Sequence, residues 1–146
     1  MSGGRPTPDQ SERPGAPPVS DPTQAAREWA ATWRAAWPAH DVDAIVALYA
    51  DDAVYLSHPF REPLRGRDGA RQYVTAAFAE EEAVECWFAE PIASGDGAAV
   101  EYRAVLRTEG REMSLAGVSV LRFDPMGLVV EHRDYWAMTD GRRLEV

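Results

Sequence analysis

The segment Leu128 to Met138, read as one strand, sets an imidazole and a carboxylate into an otherwise apolar series. Side chains alternate along a strand, so the even positions Leu128, Val130, His132, Asp134, Trp136 and Met138 share one face, while Glu131, Arg133 and Tyr135 share the other. The even face is the inner one. His132 and Asp134 sit two residues apart on it, about 6.5–7 Å between Cα atoms by strand rise. Residues so placed rarely bond directly, which predicts that the pair shares a water or a ligand. An inward carboxylate is costly unless it is paired, hydrated or protonated. Asp134 therefore either bonds an inward Tyr, Trp or backbone N–H and fixes core geometry, or lines a wet pocket as ligand acceptor or general base. In the second case His132 is its proton partner, since an imidazole beside a carboxylate suits proton transfer near neutral pH.

Other side chains extend this lining. In Ala98–Thr108, Val100, Tyr102, Ala104 and Leu106 face inward and Glu101, Arg103 and Arg107 outward, which turns Tyr102 toward the pocket. Tyr55 and Ser57 share a face of the strand Ala53–His58, where a tyrosine is equally at home as a core residue with one satisfied hydroxyl. His58, before Pro59, is either a loop cap or a group at the pocket mouth. Leu115 and Trp136 add apolar wall. Trp29, Trp33 and Trp37 recur at i, i+4 and i+8, one face of a helix, so Trp33 and Trp37 are either core or an aromatic wall for a ligand.

The elements that position these groups follow from capping and periodicity. Thr23 caps a helix that ends at Pro38, and Asp41 caps a short second helix with Val42, Ile45, Leu48 and Tyr49 apolar. A third helix spans Arg67 to Glu82, with an acidic end that opposes the helix dipole and is therefore frayed or paired with arginine. Strands follow at Ala83–Ile92, Ala98–Thr108, Glu112–Phe123 and Leu128–Met138, joined by short Gly-containing turns that favour antiparallel pairing. Helices grouped before strands predict an α+β fold, three N-terminal helices packed on a curved, mainly antiparallel sheet. The strand Glu112–Phe123 is apolar on both faces, which predicts that a second subunit covers it in a homodimer. Residues 1–22 hold six of the eleven prolines and read as a disordered tail, followed by a domain at 23–140 and a short C-terminal tail at 141–146.

Composition excludes several classes of partner. The net charge is -9 and no Lys or Arg cluster is present, which disfavours nucleic acid and anionic membrane surfaces. The single cysteine, Cys86, cannot form an intramolecular disulfide, and no segment reads as a signal peptide or membrane span, so a cytoplasmic setting is expected. Lys and Asn are absent, which suggests a GC-rich bacterial genome. No metal-ligand spacing, phosphate-cradling glycine motif or G-x-S-x-G elbow occurs, so no metal and no cofactor is expected. The partner these features leave is a small apolar molecule.

The order of parts, together with the segments HDVDAIVALYADDAVY, GRDGARQY, AGVSVLRF and VVEHRDYW, resembles the nuclear-transport-factor-2-like superfamily in its SnoaL-like branch. The resemblance spans about Ala25 to Met138 and implies a cone-shaped fold around a pocket. Its members include polyketide cyclases, ketosteroid isomerases, epoxide hydrolases and many non-catalytic domains, so function has to come from the site. The closing RDYW resembles the limonene-epoxide-hydrolase segment whose aspartate is catalytic, which implies that role for Asp134. Tyr55 matches a family position that helps to hold the nucleophilic water. The family's Arg-x-Asp pair, however, falls here on Tyr102 and Ala104. Without that guanidinium and second carboxylate the water-activating relay cannot be assembled, and epoxide hydrolysis of that type is disfavoured. An isomerase, cyclase or hydratase acting on a small apolar carbonyl compound fits, with Asp134 as base and Tyr55 or Tyr102 as donor to the oxyanion. A non-catalytic ligand-binding domain and a dimerisation module are the alternatives.

Overall fold

The computed structural model describes residues 21–145. The first helix, α1 (Pro22–Ala39), opens on Asp21, whose side chain accepts the Thr23 N–H at 2.9 Å, with Pro22 in its first turn. Asp21 and Pro22 thus belong to the helix rather than to the leading tail, and Asp21, not Thr23, is the cap. The rest of that tail lies outside the described residues. Pro38 is accommodated in the last turn of α1. It has no N–H to offer the Arg34 carbonyl, and the Cys86 thiol approaches that oxygen at 3.7 Å instead. His40, in the left-handed conformation at φ 54°, closes the helix with its N–H on the Ala36 and Trp37 carbonyls.

A short helix α2 (Val42–Val46) follows, capped by Asp41, which accepts the Ala44 N–H at 3.1 Å. The chain then turns directly into β1 (Tyr49–Leu56), so Tyr49 is the first residue of a strand and not the last of a helix. After β2 (Leu64–Arg65), helix α3 covers Gly66–Glu80. The expected strand from Ala83 to Ile92 is split into β3 (Ala83–Phe88) and β4 (Ile92–Ser94) around Pro91, which has no N–H for a ladder. Three long strands complete the sheet: β5 (Gly97–Thr108), β6 (Arg111–Phe123) and β7 (Val129–Asp140).

The sheet order is β2-β1-β7-β6-β5-β3, with β4 also on β5. Every pairing is antiparallel except that of β1 with β7, which is parallel. The fold is therefore α+β, three helices on a curved and mostly antiparallel sheet. Trp29, Trp33 and Trp37 of α1 and Val74 and Phe78 of α3 are buried in one core with the inward residues of β1, β5, β6 and β7. No helix among the described residues is long and apolar enough to cross a membrane.

Two features of the β6–β7 ladder matter for the site. A register shift between Arg122 and Phe123 leaves one extra residue on β7, so Ser119 pairs with Asp134 and Leu121 with His132. Gly117 pairs with Trp136, and a Cβ at position 117 would lie 2.5 Å from the Tyr135 carbonyl oxygen and 2.7 Å from Trp136 Cβ. Only glycine admits this close approach.

Candidate functional site

β7 runs between β1 and β6, with Tyr55 of β1 opposite His132 and Ser119 of β6 opposite Asp134. Asp134 is thus flanked by hydroxyl groups from both neighbours. Ser119 Oγ donates to Asp134 Oδ1 at 2.6 Å, and Tyr55 Oη donates to Oδ2 at 3.2 Å. His132 Nε2 lies 2.6 Å from Asp134 Oδ1, a direct hydrogen bond where a shared water or ligand had been expected. Side chains lean along the strand, and the length of the imidazole closes the gap left by the Cα spacing. Both residues are buried, His132 at 1% and Asp134 at 7% exposure.

The other imidazole nitrogen is engaged as well. His132 Nδ1 lies 2.8 Å from Tyr49 Oη, and the same oxygen receives the Trp29 indole N–H at 3.4 Å. An indole nitrogen only donates, so Tyr49 accepts from Trp29, and with no other acceptor for its proton among the described residues it donates to His132 Nδ1. Burial is the main reason, and the Asp134 charge a further one, that the Tyr49 hydroxyl is pushed well above its ordinary range and keeps that proton. With Nδ1 accepting from Tyr49, the imidazole proton is assigned to Nε2, directed at Asp134. The chain of donors reads Trp29, Tyr49, His132, Asp134, and it ends on a carboxylate that accepts three hydrogen bonds. Oδ1 takes two of them and Oδ2 only the longer one from Tyr55, which leaves Oδ2 the less saturated oxygen.

Trp29, Tyr55, Ser119, His132 and Asp134 face a cavity of about 520 Å³, a size usual for small-molecule sites, with Tyr49 buried behind them. Of the residues singled out from sequence, Trp33, Trp37, Tyr55, Tyr102, Leu115 and Trp136 line it together with His132 and Asp134. Tyr102 is packed between Phe88, 5.9 Å away, and Trp37, 6.4 Å away. Burial first, then the Asp134 charge, push its hydroxyl far up, and no protein group among the described residues receives its proton. Ser57 and His58 are placed elsewhere. Ser57 is buried behind the wall, where its carbonyl accepts the Trp136 indole N–H at 2.7 Å. His58 packs against Trp136 at 5.2 Å, and its Nδ1 accepts the Phe60 N–H at 3.2 Å in the loop.

Sequence reasoning missed three participants. The apolar series Val42, Ile45, Leu48 and Tyr49 fits a helical period and predicts Tyr49 on a helix, but the helix ends at Val46. Ser119 is the one hydroxyl in the inward series Met113, Leu115, Gly117, Ser119 and Leu121, a signal that was open to reading. Its partner was not, because carrying the unshifted turn register along the strand sets Ser119 opposite Arg133. The third is Glu81, just past α3. It is not paired with arginine: its Oε2 accepts the Trp37 indole N–H at 2.9 Å. The lone thiol of Cys86, by contrast, lies off the cavity and burial pushes it up to about 11. Among the described residues no three His, Cys, Asp or Glu side chains converge on a possible metal position.

A family model described as the SnoaL-like domain matches residues 19–132. Among solved structures, the chain is similar to Rv0760c from Mycobacterium tuberculosis, at TM-score 0.71 and 21% identity over 84% of this chain and 99% of that one. It is similar to SalBIII, an epoxide hydrolase/cyclase-like enzyme in pyran ring formation in the polyether salinomycin, at TM-score 0.70 and 21% identity over 81% and 97%. A protein of ketosteroid isomerase-like fold from Catenulispora acidiphila, in complex with trimethylamine, matches at TM-score 0.66 and 22% identity over 74% and 84%. Likeness at these identities establishes a shared fold.

Proposed function

The chain belongs to the SnoaL-like domain family, and on that premise we propose that its cavity binds a small apolar carbonyl compound and moves a proton on it, with Asp134 as the base. The observation that carries this reading is one buried carboxylate held at the wall of an aromatic cavity by hydroxyl groups from both neighbouring strands. Asp134 Oδ2 is the accepting atom. His132 has both nitrogens occupied inside the protein, so it acts through Asp134 as a positioning residue. The Tyr55 proton is likewise committed to the carboxylate. Tyr102 is then the group free to donate to the oxygen of an enolate as charge develops there, a role that preorganised donors fill well in a dry site. The proton leaves the carbon beside the carbonyl, rests on Asp134, and returns to the same or a conjugated carbon, so the step is balanced without a cofactor.

The three donors on Asp134 also favour a second reading, in which the carboxylate only shapes a binding cavity. Asp134→Asn separates the two. If Asp134 is the base, the variant binds ligand and loses turnover by about 10²–10⁴-fold, the usual worth of a general base. Turnover retained in that variant overturns the assignment.

Assembly belongs to the same reading. The outer face of β6 carries half-buried Ala116, Val118 and Val120, beside Tyr135 of β7 at 40% exposure. We read the part of this face beyond the C-terminal segment, which bonds Ser114 and Arg103, as the seat of a second copy of the chain, in line with its apolar Ala116, Val118 and Val120.

A further inference from the structure

The cavity has a second carboxyl group that the proton-transfer reading leaves unused. Glu81 lines the cavity, and its side chain is 9% exposed. The only hydrogen bond of its carboxyl group among the described residues is the one from Trp37 at 2.9 Å on Oε2. The titratable groups around it are His40 from the end of α1, Glu80 and Tyr73 from α3, and Cys86 from β3. The nearest of them is His40, whose Nε2 lies 3.9 Å from Glu81 Oε2, within ion-pair range for a protonated imidazole but beyond hydrogen-bonding distance. Burial above all pushes the carboxyl up to about 7, so near neutrality Glu81 is poised both to donate a hydrogen bond and to accept one.

The tryptophan stripe gives the length of the wall between the indole beside His132 and the indole bonded to Glu81. Trp29 packs edge-on against His132 at 5.4 Å, and Trp37 holds Glu81. The two indoles are eight residues apart on α1, roughly 12 Å along the axis at the helical rise. Between them the wall is aromatic: Trp33 lies 5.9 Å from both Trp29 and Trp37.

We propose that Glu81 is a second polar anchor for the ligand, so that the cavity takes an elongated, apolar molecule bearing an oxygen function at each end, one against Asp134 and the other against Glu81. This rests on the cavity being a ligand site, and it adds the length and polarity of what the site takes.

The test compares two rigid phenols by calorimetry, para-hydroxystilbene with one hydroxyl and para,para′-dihydroxystilbene with hydroxyls about 12 Å apart, the span of the stripe. The wild-type chain binds the dihydroxy compound about tenfold more tightly, the difference expected of one additional hydrogen bond in a dry site. Glu81→Leu abolishes that difference by weakening only the dihydroxy compound, and Glu81→Gln, which still donates and accepts, keeps most of it. Equal affinity of both phenols for the wild-type chain overturns the proposal without recourse to any variant. So does a Glu81→Leu variant that weakens both phenols alike. If neither phenol binds, the ligand-site reading itself fails and takes this proposal with it, whereas equal binding removes the second anchor alone.

Discussion

Asp134 is held by a relay in which each partner has a fixed direction, and that direction sets what substitutions do. Removing the Tyr49 hydroxyl leaves His132 Nδ1 and the Trp29 N–H without partners in the core. Tyr49→Phe is therefore expected to lower unfolding stability by about 1–3 kcal/mol, the cost of stranding buried polar groups. Urea denaturation measures it, and an unchanged midpoint would contradict the relay through Tyr49. Glu81 makes a separate prediction about pH. Burial raises its folded value from 4.5 to about 7, so the folded chain retains a proton that the unfolded chain releases. Its contribution to stability is complete below 4.5 and is lost as pH rises through about 7. Stability of the wild-type chain relative to Glu81→Gln should fall across that window, and parallel urea midpoints at the two ends would refute it.

At the scale of elements, the site is a product of strand pairing. β1 and β6 reach Asp134 from opposite sides only because β7 lies between them, and β1 joins in parallel although every other pairing is antiparallel. Gly117 lets Trp136 close the cavity wall. Gly117→Ala forces a Cβ against the Tyr135 carbonyl at 2.5 Å, so either the ladder parts or the strand shifts. A loss of roughly 1–3 kcal/mol in urea denaturation, with a weaker response to ligand, is the expected outcome. Strand alternation alone placed His132, Asp134 and Tyr102 inward, because a period of two is robust wherever one face is apolar. It could not place Tyr49, since a five-residue helix and the strand after it share one short apolar pattern. Nor could it find the Ser119–Asp134 bond, which depends on a bulge with no signature in the residues around Arg122. Ser57 shares the inward face with Tyr55 but lies behind Trp136, a matter of depth that alternation does not encode.

Across the whole molecule, sheet and helices surround an aromatic cavity lined by both Asp134 and Glu81, while the outer face of β6 sets Ala116, Val118 and Val120 among charged side chains of β5 and β7. Val118 sits at the centre of that outer face, so Val118→Asp is expected to convert a dimer to a monomer in sedimentation experiments while leaving the cavity's ligand affinity intact. A wild-type chain that sediments as a monomer at all concentrations would exclude the second copy. The central claim concerns the cavity itself, and proton exchange reads it most directly. The chain is incubated in deuterated water with a small apolar ketone such as 2-tetralone, and deuterium entering the carbon beside the carbonyl is followed by proton magnetic resonance. The wild-type chain should accelerate exchange over buffer, and Asp134→Asn should lose at least about 10²-fold of that acceleration. Exchange at the buffer rate in the wild-type chain, or undiminished exchange in Asp134→Asn, would contradict the assignment of Asp134 as the base.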